Sequence, residues 1–260
     1  MKSKTFYYEN YTDDFAVTKD LKSNIVGDDY KYETKNPFFW LFSFVVYFII
    51  VKPLAWCILK LRFGYKTKNR KVLRKCRNKG YFIYGNHTNY LPDAFGPNII
   101  RFRRNSIVVN SQTVSIKGIR TLVKALGAIP LGDTYQAKKK FFKCIKNRIR
   151  KKQSVMIFPE AHIWPYYNSV RPFDPINMKY QVILDVPAYT ISYCYKKRKF
   201  FKIPKVIAYI DGPFYPDRNL EPKDRQEKLY NEVYNTIKDR TDNYSTYSVH
   251  TYLKKENELI

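Results

Sequence analysis

The chain has 260 residues, and 48 Lys and Arg against 22 Asp and Glu give a formal net charge of +26 at pH 7. With 24 Tyr and 18 Phe among 45% hydrophobic residues, it is able to bury a sizeable core, which excludes wholesale disorder and predicts one large domain or two small ones. The four cysteines are far apart and have no metal-binding spacing, so we expect reduced thiols, a cytoplasmic compartment and no metal.

The charge is unevenly distributed along the chain. Residues 1–36 hold 6 basic and 7 acidic side chains, so the rest of the chain carries the whole positive excess. We predict that 1–36 is a flexible polar arm and that the main body seeks an anionic partner. Nucleic acid and an anionic membrane surface are both suitable partners for this positive charge.

The segment 37–61 is almost wholly apolar and favours the membrane. As one helix it is long enough to cross a bilayer core of about 30 Å. Lys52 and Pro53 interrupt it, which favours a kinked helical hairpin inserted in one leaflet. Trp40 and Trp56 lie near its ends, as interface anchors do. A buried core helix is the alternative.

Ten Lys and Arg between residues 60 and 79, with no acidic residue among them, follow this apolar run directly. Such a cluster beside an apolar anchor is typical of a segment that binds anionic headgroups at the cytoplasmic face. We therefore predict that 37–79 forms a membrane-anchoring hairpin and a basic helix. A solvated basic helix is the alternative.

Beyond residue 79, short β-rich runs alternate with helical patterns, which predicts an α/β fold with a mixed sheet flanked by helices over 80–260. The predicted strands are 81–84, 106–109, 128–131, 155–158, 188–193 and 206–210. The predicted helices are 116–126, 135–149 and 221–239.

Titratable side chains follow two of these strands. His87 comes just after 81–84, and Asp93 follows it closely enough to fix its tautomer and stabilise its cation. Glu160 and His162 come after 155–158. The ends of strands are where α/β folds expose reactive groups, so these residues are the candidates for chemistry. For the first pair alone, a surface loop is the alternative.

Four ordered motifs make the chain resemble the glycerophospholipid acyltransferases, typified by 1-acylglycerol-3-phosphate acyltransferase. They are Asn86, His87 and Asp93, then Gly127 to Asp133, then Phe158 to Ala161, and last Val186-Pro187. The resemblance covers about residues 80–215. It implies that His87 is the general base and Asp93 its partner, and that Asn86, Pro159, Glu160 and His162 lie at the bound acceptor.

Three of the four motifs depart from the family pattern. Five residues, not four, separate His87 from Asp93, and Asp133 stands where the family usually has an arginine that meets the acceptor's phosphate. Ala161 replaces a glycine, and His162 a small polar residue. We predict that Arg171 supplies the missing cation for the acceptor; a simple surface charge is the alternative.

The resemblance implies transfer of an acyl group from acyl-coenzyme A or acyl carrier protein to a lysophospholipid, with anionic lipids as further partners and no cofactor. A nucleic-acid-binding module is a rival, because Lys and Tyr are interleaved at YCYKKRKFFK, but it leaves 37–61 unexplained. A non-catalytic membrane scaffold leaves His87, Asp93 and Glu160 unexplained. A lipid hydrolase needs a nucleophile motif such as G-x-S-x-G, which the sequence lacks. We therefore predict a membrane-associated acyltransferase that binds no nucleic acid.

Overall fold

The computed structural model describes residues 2–15, 25–115, 118 and 120–255. Its centre is a seven-stranded sheet in the order β2-β8-β7-β3-β6-β4-β5. These strands are β2 (Lys66–Lys68), β3 (Tyr81–Gly85), β4 (Asn105–Val109), β5 (Ala128–Pro130), β6 (Ser154–Ile157), β7 (Ala188–Lys196) and β8 (Lys205–Phe214). All neighbours are parallel except β7 and β8, so the predicted mixed sheet is confirmed.

Alternating side chains place a core on each face of the sheet. In β3, Phe82 and Tyr84 join one core, while Tyr81 and Ile83 join the other. Such strands are buried on both faces, which is why they read as continuous apolar runs in the sequence. The helices α6 (Tyr135–Arg150), α7 (Lys179–Leu184) and α8 (Pro222–Tyr244) cover the first face.

The second face is covered by α2 (Lys52–Phe63) and α3 (Tyr90–Ile99), together with the 3₁₀-helix Arg70–Cys76. Two short helices, α4 (Ser111–Ser115) and α5 (Arg120–Ala125), lie before β5. They replace the single helix predicted over 116–126; residues 116, 117 and 119 lie outside the described residues. The strand β2 was not predicted, because Lys-Thr-Lys carries no apolar signal and is held by backbone pairing with β8.

The apolar segment is one continuous helix, so the predicted hairpin is wrong. The apolar helix runs from Pro37 to Phe63 as α1 (Pro37–Phe44), a π-helical stretch (Val45–Val51) and α2. The N–H of Lys52 donates to the carbonyl of Tyr47, five residues back. This wider turn directly before Pro53 accommodates a residue that has no N–H and whose ring crowds the preceding turn. The Lys52 side chain reaches the segment that precedes β4, where its ammonium donates to the carbonyl of Phe102, 3.0 Å away.

One stripe of the apolar helix packs against the domain along its length. Its buried members include Ser43, Tyr47, Ala55, Leu59 and Phe63. The exposed remainder of the helix includes the large hydrophobic residues Phe38, Leu41, Ile49, Ile50, Leu54, Trp56 and Leu61. Within the described ranges, this is the one helix whose length and composition suffice to cross a membrane.

The described parts of 1–36 pack on the domain, unlike the flexible arm that was predicted. Strand β1 (Thr5–Tyr8) pairs in parallel with β9 (Thr251–Lys254), and Val26, Tyr30 and Tyr32 are buried in the core beside α6. The physical reason is the aromatic content of the segment, which its balanced charges obscure. Residues 16–24 of the predicted arm lie outside the described residues.

Candidate active site

The loops after β3 and β6 meet at the carboxyl edge of the sheet. The two strands are adjacent and parallel, with Tyr84 opposite Ile157. The residues that follow them are therefore brought together: the main-chain N–H of His87 donates to Oε1 of Glu160 at 3.3 Å. The sheet thus joins the two clusters that the sequence singled out.

His87 and Asp93 form a hydrogen-bonded pair, with 2.8 Å between Nδ1 and Oδ2. The extra residue between them is accommodated because α3 begins at Tyr90 and carries Asp93 in its first turn. The same Oδ2 accepts the N–H groups of Thr88 and Asn89 at 2.8 Å each. Burial raises the pKa of Asp93, while its bonds to His87 and to these two N–H groups oppose that rise.

The exposure of the pair is asymmetric. The side chain of His87 is 18% exposed, and that of Asp93 is 2% exposed. The ring of Phe158 stacks on the imidazole, with centroids 4.4 Å apart and planes at 17°. Asp93 therefore fixes Nδ1 and Phe158 fixes the ring plane, so Nε2 is the nitrogen left for a substrate proton. Phe158 is the first residue of the third motif, Phe158 to Ala161, but no role in the site was predicted for it.

Glu160 and Arg171 form a second, sealed pair, with Oε2 and Nε 2.7 Å apart and both side chains 0% exposed. Arg171 also donates to the carbonyls of Tyr11, at 2.8 Å, and of His162. Its guanidinium lies over the ring of Trp164. Burial raises the pKa of Glu160, and the charge of Arg171 opposes that rise. Arg171 is therefore not placed to meet an acceptor's phosphate, contrary to the prediction, because its donors are occupied inside the protein.

The other three predicted binding residues, Asn86, Pro159 and His162, differ in how deeply they are buried. Asn86 is buried and exchanges two hydrogen bonds with the main chain of Tyr193 in β7, so it clamps two neighbouring strands. Pro159 is buried. His162 is partly exposed, with its Nδ1 3.3 Å from a carboxylate oxygen of Asp14. Their burial places Asn86 and Pro159 beneath the surface of the site.

Two departures from the family pattern have local explanations. Ala161 has φ +63°, a left-handed conformation that favours glycine, which is the residue usual in the family motif. Asp133 binds the main chain of Val26: its Oδ2 accepts the Val26 N–H at 2.6 Å, and its own N–H donates to the Val26 carbonyl. The usual arginine position is thus covered by the N-terminal segment. The last motif, Val186-Pro187, precedes β7 and so lies at the opposite edge of the sheet.

Residues 65–193 match the family model described as Acyltransferase, and this span contains His87, Asp93, Glu160 and Arg171. This span, about half of the chain, is an acyltransferase domain. Its fold resembles the crystal structure of the 1-acyl-sn-glycerophosphate (LPA) acyltransferase PlsC from Thermotoga maritima, with a TM-score of 0.54 and 16% identity. That match covers 78% of this chain and 87% of the other. A search of curated protein sequences finds no match.

Proposed function

We propose that this acyltransferase moves a fatty acyl group from an acyl thioester to the hydroxyl of a lysophospholipid, such as 1-acylglycerol-3-phosphate. The observation that carries the proposal is a partly exposed imidazole bonded to a buried carboxylate inside the acyltransferase domain. A base that is oriented in this way suits proton transfer from an alcohol. The thioester belongs to coenzyme A or to an acyl carrier protein.

Nε2 of His87 takes the proton of the acceptor's hydroxyl while that oxygen attacks the thioester carbonyl. The tetrahedral oxyanion then collapses, the carbon–sulfur bond breaks, and the imidazolium returns the proton to the departing thiolate. Asp93 accepts from Nδ1 and stabilises the imidazolium. The products are an ester and a free thiol, with no covalent acyl-enzyme.

Glu160 and Arg171 are positioning residues in this proposal. Oε1 of Glu160 accepts the main-chain N–H of His87, while Oε2 accepts from Arg171. The ion pair therefore ties the loop after β6 to the base after β3. It acts on the substrate only through the position of His87.

A membrane surface supplies and retains the lipid substrates. Three exposed apolar groups support this part of the proposal: the outer face of the apolar helix, Phe102, and Phe200 with Phe201 in the β7–β8 loop. That loop reaches the end of the apolar helix, where Arg198 donates to the carbonyl of Arg62. Because the buried stripe of the helix runs along its length, the helix fits better lying in one leaflet on the cytoplasmic face than crossing alone.

Binding of single-stranded nucleic acid is the weaker alternative. In the segment that motivated it, the rings of Tyr193 and Tyr195 are buried in β7. Neither ring is free to stack on a base. The exposed Phe200 and Phe201 in the following loop are equally suited to lipid.

The test is acyl transfer by the full chain in detergent or vesicles, with labelled acyl-coenzyme A or acyl carrier protein and a panel of lysolipids. His87→Ala should lose about 100- to 10,000-fold in rate, because it removes the base. Its melting temperature and vesicle binding should match those of the parent. Transfer at near the parent rate by folded His87→Ala would exclude the mechanism. A parent protein that acylates none of the panel would exclude the proposed substrate class.

A further inference from the structure

A cavity of about 330 Å³ lies beside the first half of the apolar helix, away from His87. Its walls include Arg104 and Gln153, which directly precede β4 and β6, and it therefore opens at the amino edge of the sheet. His87 lies at the carboxyl edge, and β3 between the edges has five residues, about 17 Å at ~3.3 Å per residue. The proposed acyl transfer makes no use of this cavity.

The cavity is strongly cationic. Five basic side chains line it, against the single carboxylate of Glu33: Arg103, Arg104, Lys124, Arg148 and Lys151. Within the described part of the chain, none of the five forms an ion pair, and the side chain of Asn147 donates to Glu33. Burial lowers the pKa of Arg104 to about 10 and lowers that of Lys124, and the nearby charge of Arg148 adds to both effects. An anion in the cavity would relieve this repulsion.

Three buried polar atoms in the cavity wall have no hydrogen-bond partner among the described residues: the hydroxyl of Tyr32, Nε of Arg148 and Oε1 of Gln153. The thiol of Cys144 lies within hydrogen-bonding reach of the Arg148 side chain, but burial raises the pKa of this thiol, so it carries no charge that would neutralise the guanidinium. Buried polar groups are nearly always satisfied in folded proteins. Three orphan atoms in one cavity therefore point to a polar ligand.

The other wall is aromatic and continues into the exposed face of the apolar helix. It is formed by Phe39, Trp40, Phe44, Phe48 and Phe102. Of these, Trp40, Phe44 and Phe102 are also exposed to solvent. Lys151 lies over the ring of Trp40, with its Nζ 4.6 Å from the centroid, so the cationic and apolar walls meet there. The cavity thus offers charge at one side and an apolar exit at the other.

We propose that this cavity binds an anionic phospholipid, with the headgroup phosphate at Arg148 and Lys151 and the acyl chains along Phe44, Phe48 and Phe102. A zwitterionic lipid would bring an ammonium group into the cationic cavity, and inorganic phosphate would leave the aromatic wall empty. The site is separate from the acyl-transfer site. It would hold the apolar helix on membranes that contain anionic lipid.

The experiment measures binding of a soluble short-chain phosphatidic acid to the full chain by calorimetry, with short-chain phosphatidylcholine and inorganic phosphate as the other ligands. Arg148→Gln/Lys151→Gln should weaken phosphatidic acid binding about 30-fold, since each charge near a lipid surface is worth roughly 1 kcal/mol. The matched control is Lys143→Gln/Lys146→Gln, which removes the same charge from exposed positions on α6 outside the cavity and should bind as the parent does.

Equal binding by the two double variants would overturn the proposal, and so would equal affinity for phosphatidylcholine. Inorganic phosphate that binds as tightly as the lipid would reduce the site to a phosphate site without a lipid role. Displacement of the lipid by acyl-coenzyme A would reassign the cavity to the acyl donor.

If Arg148→Gln/Lys151→Gln does not fold, Lys151→Glu decides, because Lys151 is exposed and its replacement breaks no buried hydrogen bond. It should weaken binding at least tenfold, and unchanged binding would count against the site. Binding is also measured on His87→Ala, which should retain it in full. Loss of activity and loss of this site are thereby scored separately.

Discussion

Two buried carboxylates lie side by side at the carboxyl edge of the sheet, and they differ in what they hold. Asp93 holds an imidazole that is 18% exposed, whereas Glu160 holds a guanidinium that is 0% exposed. The pKa of each carboxylate is raised by burial and countered by its partner. The same electrostatic device therefore orients a partly exposed imidazole in one case and fixes a loop in the other.

The difference teaches how to separate chemistry from support in this site. Changes at His87 should reduce the rate of acyl transfer and leave stability nearly unchanged, since Asp93 keeps the main-chain N–H groups of Thr88 and Asn89 as partners. Changes at Arg171 should cost stability first, because a charge would be left buried without its partner. Measuring both quantities on both pairs distinguishes the two roles.

The largest expected loss of stability is that of Arg171→Met. Breaking a buried pair by removing one partner typically costs 3–5 kcal/mol, so we expect about that loss in the free energy of unfolding at pH 7. Glu160→Gln/Arg171→Met should recover much of it, because no charge remains buried. Denaturant unfolding measures both. If Arg171→Met is as stable as the parent and instead raises only the KM of a phosphorylated acceptor, Arg171 binds substrate after all.

The stability penalty of Arg171→Met should depend on pH with a defined sign. Without the guanidinium, the desolvated Glu160 has a folded-state pKa still further above its ordinary 4.5. The loss of stability in Arg171→Met is then absent below about pH 4.5, the ordinary pKa of a glutamate. It grows as the pH rises from there through the folded-state pKa of Glu160. The difference from the parent should shrink between pH 7 and pH 5. A difference that is constant over this range, measured against Glu160→Gln/Arg171→Met, would show that Glu160 is not the titrating group.

Membrane binding should depend on the exposed apolar side chains of the apolar helix. Ile49→Glu/Leu54→Glu places two charges on that face and should reduce flotation with vesicles of phosphatidylcholine and phosphatidylglycerol more than tenfold, since each buried aliphatic side chain contributes about 1.5–3 kcal/mol. High salt alone should not release the parent. The matched control is Ile176→Glu/Ile183→Glu, equally exposed residues beside or in α7 on the other face of the sheet. Equal losses in both variants would contradict an oriented attachment.

A small effect is expected at Ala161. Its φ of +63° costs alanine about 1–2 kcal/mol, and glycine relieves this at a smaller entropic loss. Ala161→Gly should therefore stabilise the protein by about 0.5 kcal/mol. Ala94→Gly, at an exposed position within α3, should destabilise it by about 0.5–1 kcal/mol. The same sign for both changes in thermal unfolding would refute the strain at Ala161.

The sequence was informative where local pattern decides structure. Runs such as Tyr81–Tyr84 are apolar on both faces and predict buried strands, and the motif residues His87 and Asp93 follow directly. The burial of Arg171 was not predictable, because it depends on the loop after β6 and on a carbonyl of Tyr11, some 160 residues away in sequence. The packing of 25–36 was also missed, since its charges hide the aromatic residues that enter the core.

The central claim is that His87 and Asp93 act as one unit, and single-turnover kinetics of four proteins test it most directly: the parent, His87→Ala, Asp93→Asn and the double variant. Asp93→Asn should be slow, because the amide no longer selects the correct tautomer. The double variant should be scarcely slower than His87→Ala, because without the imidazole there is nothing left to orient. Two losses that multiply in the double variant, in proteins of unchanged stability, would contradict the account.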